Sequence, residues 1–143
     1  MNTSFRISES ASRRLVERAG REGTSSIALL SRLIREGFDQ LDHPGIVFRG
    51  PITDRRAVLA AGPNVWEVVA RLQELDGPME RRIAVLSQQS DLQSRKIEIA
   101  VAYARDHGNE IVERIVRNRR LPGPEGRGFA AHLSSWLLEE WLL

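Results

Sequence analysis

A chain of 143 residues with a formal net charge of +2, 41% hydrophobic and 28% charged, has room for one domain or two small ones and is too evenly charged to be a polyelectrolyte tail. It contains no cysteine, no run of about 18 apolar residues and no basic-then-apolar leader. Disulfide frameworks, thiol chemistry and membrane spans are thereby set aside, and the expectation is a soluble, cytoplasmic protein with no membrane partner.

Twenty of the 21 basic residues are Arg, Lys96 being the exception. Arg suits phosphate and base contacts, although a GC-rich coding sequence produces the same bias. Residues 1–40 hold seven Arg against five acids, whereas residues 121–143 hold one against three, so the C-terminal end is the least suited to nucleic acid.

Residues 3–8 alternate, with Phe5 and Ile7 on one face and Ser4, Arg6 and Ser8 on the other. A lone six-residue strand is not stable in water and no nearby segment is an obvious mate, so the expected mate is the same strand of a second copy. A first helix is predicted from Ser10-Ala11-Ser12, with Ala11, Leu15 and Ala19 at four-residue steps, closing at Gly20 or Gly23. Thr24 or Ser25 then caps a second helix in which Ile27, Leu30, Ile34 and Phe38 form one apolar face.

The order strand, helix, Gly-Thr-Ser turn, helix resembles the ribbon-helix-helix repressors of the CopG, Arc and MetJ kind over roughly residues 3–40. The resemblance implies an intertwined homodimer, or a higher oligomer, whose two-stranded ribbon enters the major groove of an operator DNA. It implies base contacts from Ser4, Arg6 and Ser8, with Arg6 foremost because its planar fork can donate twice to guanine. It also implies phosphate contacts from the start of the second helix, at Thr24, Ser25 and Ser26, where free backbone amides attract anions; capping by these residues holds in either case.

The next module spans residues 42–120 after a turn-rich break at Asp42-His43-Pro44-Gly45. Ile46-Val47-Phe48-Arg49 and Arg56-Ala57-Val58-Leu59 read as a hairpin. A helix with Val65, Val68, Val69 and Leu72 on one face follows, then a short one from Met79 to Leu86. A longer helix capped by Ser90 or Asp91 and a last one from Asn109 complete the outline, a hairpin and four helices. Two stretches resemble a small helix-turn-helix-like domain of bacterial antitoxins. One runs from His43-Pro44-Gly45 to Val65-Trp66-Glu67, and the other is the Ala/Tyr-rich helix ending in Tyr103 and His107. Its loop Ala60-Ala61-Gly62-Pro63-Asn64 departs from that family's Gly-Thr-Arg type. Gln88, Gln89, Gln93, Ser94 and Arg95 lie where a recognition helix would begin, yet dimer or partner contact is the favoured role for this element. Trp66 reads as core before interface.

Residues 121–128 form a Pro/Gly linker with no nucleotide-loop context, and residues 129–143 an apolar helix too short to span a bilayer. Phe129, Leu133, Trp136, Leu137 and Trp141 are the expected partner-binding anchors, whether the groove belongs to this dimer or to another protein. His43, His107 and His132 look isolated, and Glu110/Arg114 and Glu113/Arg117 read as helix ion pairs on a solvated face. No catalytic site, metal or cofactor is expected.

The fold expected is mainly α with a short N-terminal β-ribbon: a ribbon-helix-helix unit over residues 1–41, then the hairpin and helical bundle. Together the two resemblances suggest a VapB-like antitoxin of a type II toxin–antitoxin pair, an autorepressor that neutralises a toxin, here a PIN-type ribonuclease. A stand-alone ribbon-helix-helix repressor and an interaction adaptor that does not bind DNA are the alternatives.

Overall fold

The computed structural model describes residues 2–119. Helices α1 (Glu9–Glu22) and α2 (Ser26–Asp42) come first, then strands β1 (Ile46–Arg49) and β2 (Arg56–Leu59). Helices α3 (Val65–Gln73), α4 (Met79–Gln89), α5 (Ser94–Asp106) and α6 (Gly108–Arg119) complete the described chain. It is mainly helical, and its one sheet is the antiparallel hairpin, which pairs Ile46 with Leu59 and Arg49 with Arg56. The strand expected over residues 3–8 is not formed in the single chain. Among the described residues, nothing offers that backbone a hydrogen-bonding mate.

Short-range chemistry sets the helix ends. Ser8, rather than the Ser10-Ala11-Ser12 run, caps α1: its hydroxyl accepts from the Ala11 amide at 3.2 Å. Gly23 closes α1 at φ 68°, a left-handed conformation that glycine adopts without a Cβ clash. Ser25 caps α2 by accepting from the Ala28 amide at 3.1 Å. Helix α4 runs on to Gln89, and α5 starts at Ser94, later than a Ser90 or Asp91 cap would place it. The reason is that Ser90 closes α4, its hydroxyl donating to the Leu86 carbonyl at 2.7 Å.

The core belongs to the second module. Val65, Val68, Val69 and Leu72 of α3 are fully buried against Leu86, Ile97, Ala100, Tyr103, Ile111 and Ile115, with Ile46 and Leu59 of the hairpin closing one end. In the helix pair before it, Ala19 and Leu29 are the buried apolar residues. The expected apolar face of α2 points outward, with Ile27 75%, Ile34 50% and Phe38 62% exposed. Its inward face carries Leu29, Arg32 and Glu36.

Ion pairs hold that inward face. Arg32 Nη2 donates to both Glu22 carboxylate oxygens at 3.2 and 3.1 Å, and its Nε lies 3.7 Å from Glu36. Glu36 in turn accepts from Arg55 Nε at 2.6 Å, and Arg55 Nη1 donates to the Gly50 carbonyl at 2.8 Å. Gly50 sits at φ 99° with the Asp54 carbonyl 2.3 Å from where a Cβ would stand, so the loop that presents Arg55 requires glycine there. Arg114 of α6 donates to Asp54 and to the Arg55 carbonyl, the latter at 3.1 Å. Its guanidinium holds the Asp54 carboxyl below the usual carboxylate range. Arg114 is therefore not the partner of Glu110 that helix spacing suggests.

Removing one member of a buried pair leaves an uncompensated charge. Glu36→Ala should destabilise the chain by about 3–5 kcal/mol. Glu9→Ala, which removes a surface contact to Arg13, should leave the melting temperature nearly unchanged. Thermal melts of the two variants check this; equal melts would mean that the network contributes no stability.

Candidate nucleic-acid interface

Ser4, Arg6 and Ser8 are all exposed. So is their apolar counterface, with Phe5 84% and Ile7 46% exposed. Ile7 lines a 470 Å³ groove between α1 and α2 together with Leu15, Leu29, Leu30 and Leu33, and Arg14, Arg18 and Arg21 lie along the same groove. The segment thus ends beside an apolar trough bordered by Arg14, Arg18, Arg21 and Glu17. Ser8 has a task that sequence alone did not disclose, since its hydroxyl is the α1 cap.

At the start of α2 the three expected phosphate contacts differ. The Thr24 amide is taken by the Ala19 carbonyl at 3.0 Å, the hydrogen bond that completes the glycine-closed end of α1. Ser25 uses its hydroxyl for the cap. The amides of Ser26 and Ile27 have no acceptor among the described residues, as the first turn of any helix dictates, and these are the groups an anion would meet.

The far end of α2 meets the second module through a cluster of rings and carboxylates. His43 Nε2 lies 2.8 Å from Asp106, and His107 Nε2 lies 3.4 Å from Asp39, so each element supplies a histidine to the other's carboxylate. The two histidines, isolated in sequence, have ring centroids 6.0 Å apart, and Tyr103 stacks on His107 at 4.2 Å. The Tyr103 hydroxyl donates to Glu110 at 3.1 Å. Burial, then the nearby Glu110 carboxylate, pushes its phenol well above the ordinary range, so it stays a neutral donor.

Between α2, the hairpin and the α5–α6 corner lies a cleft of 690 Å³. Ile34 and Phe38 line it from α2, Phe48 and Ile52 from the hairpin, and Tyr103 and His107 from α5 and its end. No sequence motif marked this cleft, because its walls come from segments far apart in the chain.

On the second module, Gln88, Gln89, Gln93, Ser94 and Arg95 are all exposed around the α4–α5 turn. Trp66 is half-buried against the core and lines a 410 Å³ groove with Leu86 and Leu92, so it is part core and part surface. Among the described residues no three His, Asp or Glu side chains gather at metal-binding distance, and no helix is long and apolar enough to cross a membrane. The anchors Phe129, Leu133, Trp136, Leu137 and Trp141, and His132, lie outside the described residues. Comparison with family models, with curated proteins and with solved structures returns no match for this chain.

Proposed function

We propose that the chain is a dimeric DNA-binding repressor of the ribbon-helix-helix kind, acting in the cytoplasm as the antitoxin of a toxin–antitoxin pair. The observation that carries this reading is a double deficit at the N-terminus. An alternating segment lacks a strand partner, and directly after it a helix pair exposes Ile27, Ile34, Phe38 and Leu41. One event, pairing with a second copy, supplies a mate for the segment and a cover for the stripe. Such a ribbon would present Ser4 and Arg6 to base edges, and the free amides of Ser26 and Ile27 would meet a phosphate.

The toxin half of the reading rests on the resemblance of the second module to antitoxin domains and on the apolar residues 129–143. The partner is then a toxin protein, and a PIN-type ribonuclease is the class proposed.

Two outcomes test the reading. Binding to the operator upstream of its own gene should weaken with salt at a log–log slope near −5 if about six phosphates are neutralised. Arg6→Ala should cost about 1–3 kcal/mol on that site and flatten base preference without dissociating the dimer. Tight operator binding by Arg6→Ala, or by a chain lacking residues 1–8, would overturn the ribbon assignment.

Deleting residues 121–143 should leave operator binding nearly intact and weaken neutralisation of the co-encoded toxin. A pull-down in which the truncated chain recovers the toxin undiminished would remove the tail from the partner interface.

A further inference from the structure

The outward stripe of α2 does not stop at the helix pair. Ile27, Leu30, Ile34, Phe38 and Leu41 follow one another at three- and four-residue steps, which keeps them on one side of the helix. The C-terminal half of that stripe, Ile34 and Phe38, is also one wall of the 690 Å³ cleft, and the facing wall is Phe48 and Ile52 of the hairpin. Ile52 is 46% exposed and Phe48 is half-buried. Any body that covers Ile34 and Phe38 therefore comes up against the second module.

The charged groups around the cleft are mostly engaged with one another. Arg32 is paired with Glu22, Arg55 with Glu36, and Asp39 with His107, while Glu110 accepts from Tyr103. Arg35 also lines the cleft, and Arg32 Nε and Nη1 are buried without a hydrogen-bond acceptor among the described residues, so a basic edge stands beside the apolar walls. The apolar walls themselves suit apolar side chains.

Contiguity argues for the same extension. Ile27, Ile34, Phe38 and Leu41 are exposed along α2, and exposed Ile52 stands across the cleft from Ile34 and Phe38, so the stripe and the cleft wall form one apolar surface. The occupant is indicated by residues 3–8, because an alternating segment whose strand mate can be its own copy brings that copy beside α2.

We infer that the surface on which a second copy docks runs from the α2 stripe across the cleft to the hairpin, making Phe48 and Ile52 dimer contacts. The inference rests on the dimeric reading above and extends it, since the second module becomes part of the dimer.

Sedimentation equilibrium of the full chain tests it, with Ile27→Asp and Ile52→Asp compared with the parent and circular dichroism as the folding control. Ile52→Ser is the milder change if Asp disturbs the hairpin. The expected result is that the Ile52 variant keeps its monomer fold and its dimer dissociation constant rises tenfold or more, as that of Ile27→Asp does. Dissociation by Ile27→Asp with parental dimerisation by the Ile52 variants would confine the interface to the helix pair and overturn the inference alone. A parent chain that is monomeric at tens of micromolar would overturn the dimeric reading itself. Loss of toxin binding by an Ile52 variant that dimerises normally would assign the cleft to the toxin and overturn the inference.

Discussion

The chain of ion pairs from Glu22 through Arg32 and Glu36 to Arg55 decides which way α2 faces. Arg32 and Glu36 are 7% and 8% exposed, and charged groups at that depth are stable when each finds its counter-charge. On a helix, positions 29, 32 and 36 lie roughly opposite 27, 34 and 38. Once the ions hold the first set inward, the apolar set must face out. Apolar side chains in place of these ions could stabilise the contact equally well or better, but they would allow α2 to rotate about its axis. Arg32 Nη2 donates to the Glu22 carboxylate of α1 while its Nε, 3.7 Å from Glu36, and its Nη1 make no hydrogen bond among the described residues, so it is the Glu22 contact that ties this face of α2 to α1.

The same network joins two units that look separable in sequence. Three residues, His43, Pro44 and Gly45, separate α2 from β1, and that short connection is bridged on both sides. Glu36 reaches Arg55 in the hairpin loop, and the crossed pairs His43–Asp106 and His107–Asp39 bind the end of α2 to the end of α5. With Ala19 and Leu29 as its buried apolar residues, the helix pair has too little core to stand alone. It leans on the second module through charges and leaves its apolar stripe exposed.

What was legible in the sequence divides by the range of the interaction. The hairpin strands fall where their β-compatible runs lie, and Val65, Val68, Val69 and Leu72 bury as their spacing predicts, because periodicity and turn residues act locally. The closure of α1 and the cap of α2 were legible to within a pair of residues for the same reason, Gly23 rather than Gly20 and Ser25 rather than Thr24 taking those places. The direction of the α2 stripe was not. Spacing finds an apolar face, yet whether that face meets the chain's own core or another molecule depends on Arg55, 19 residues beyond Glu36. The Arg114–Asp54 pair spans 60 residues and displaced a plausible i,i+4 pair. The cleft was invisible for a similar reason, since its lining comes from α2, the hairpin and the end of α5 and carries no motif.

Ser8 shows how a local cap commits part of a side chain's hydrogen-bonding capacity. Its backbone, at φ −64° and ψ 155°, is extended, so it can end a strand and cap α1 at once. Its hydroxyl has one proton and two lone pairs, and one lone pair is used by the Ala11 amide. The proton and the second lone pair are left for Ser10, 3.3 Å away, or for solvent. On the proposed ribbon reading Ser8 would keep one donor and one acceptor for a base edge, with its hydroxyl oxygen tethered to the end of α1. Ser4 carries no such cap, and its hydroxyl can donate or accept. Two serines of the same short segment thus differ in positional freedom rather than in hydrogen-bonding type, because only one of them is already holding a helix end.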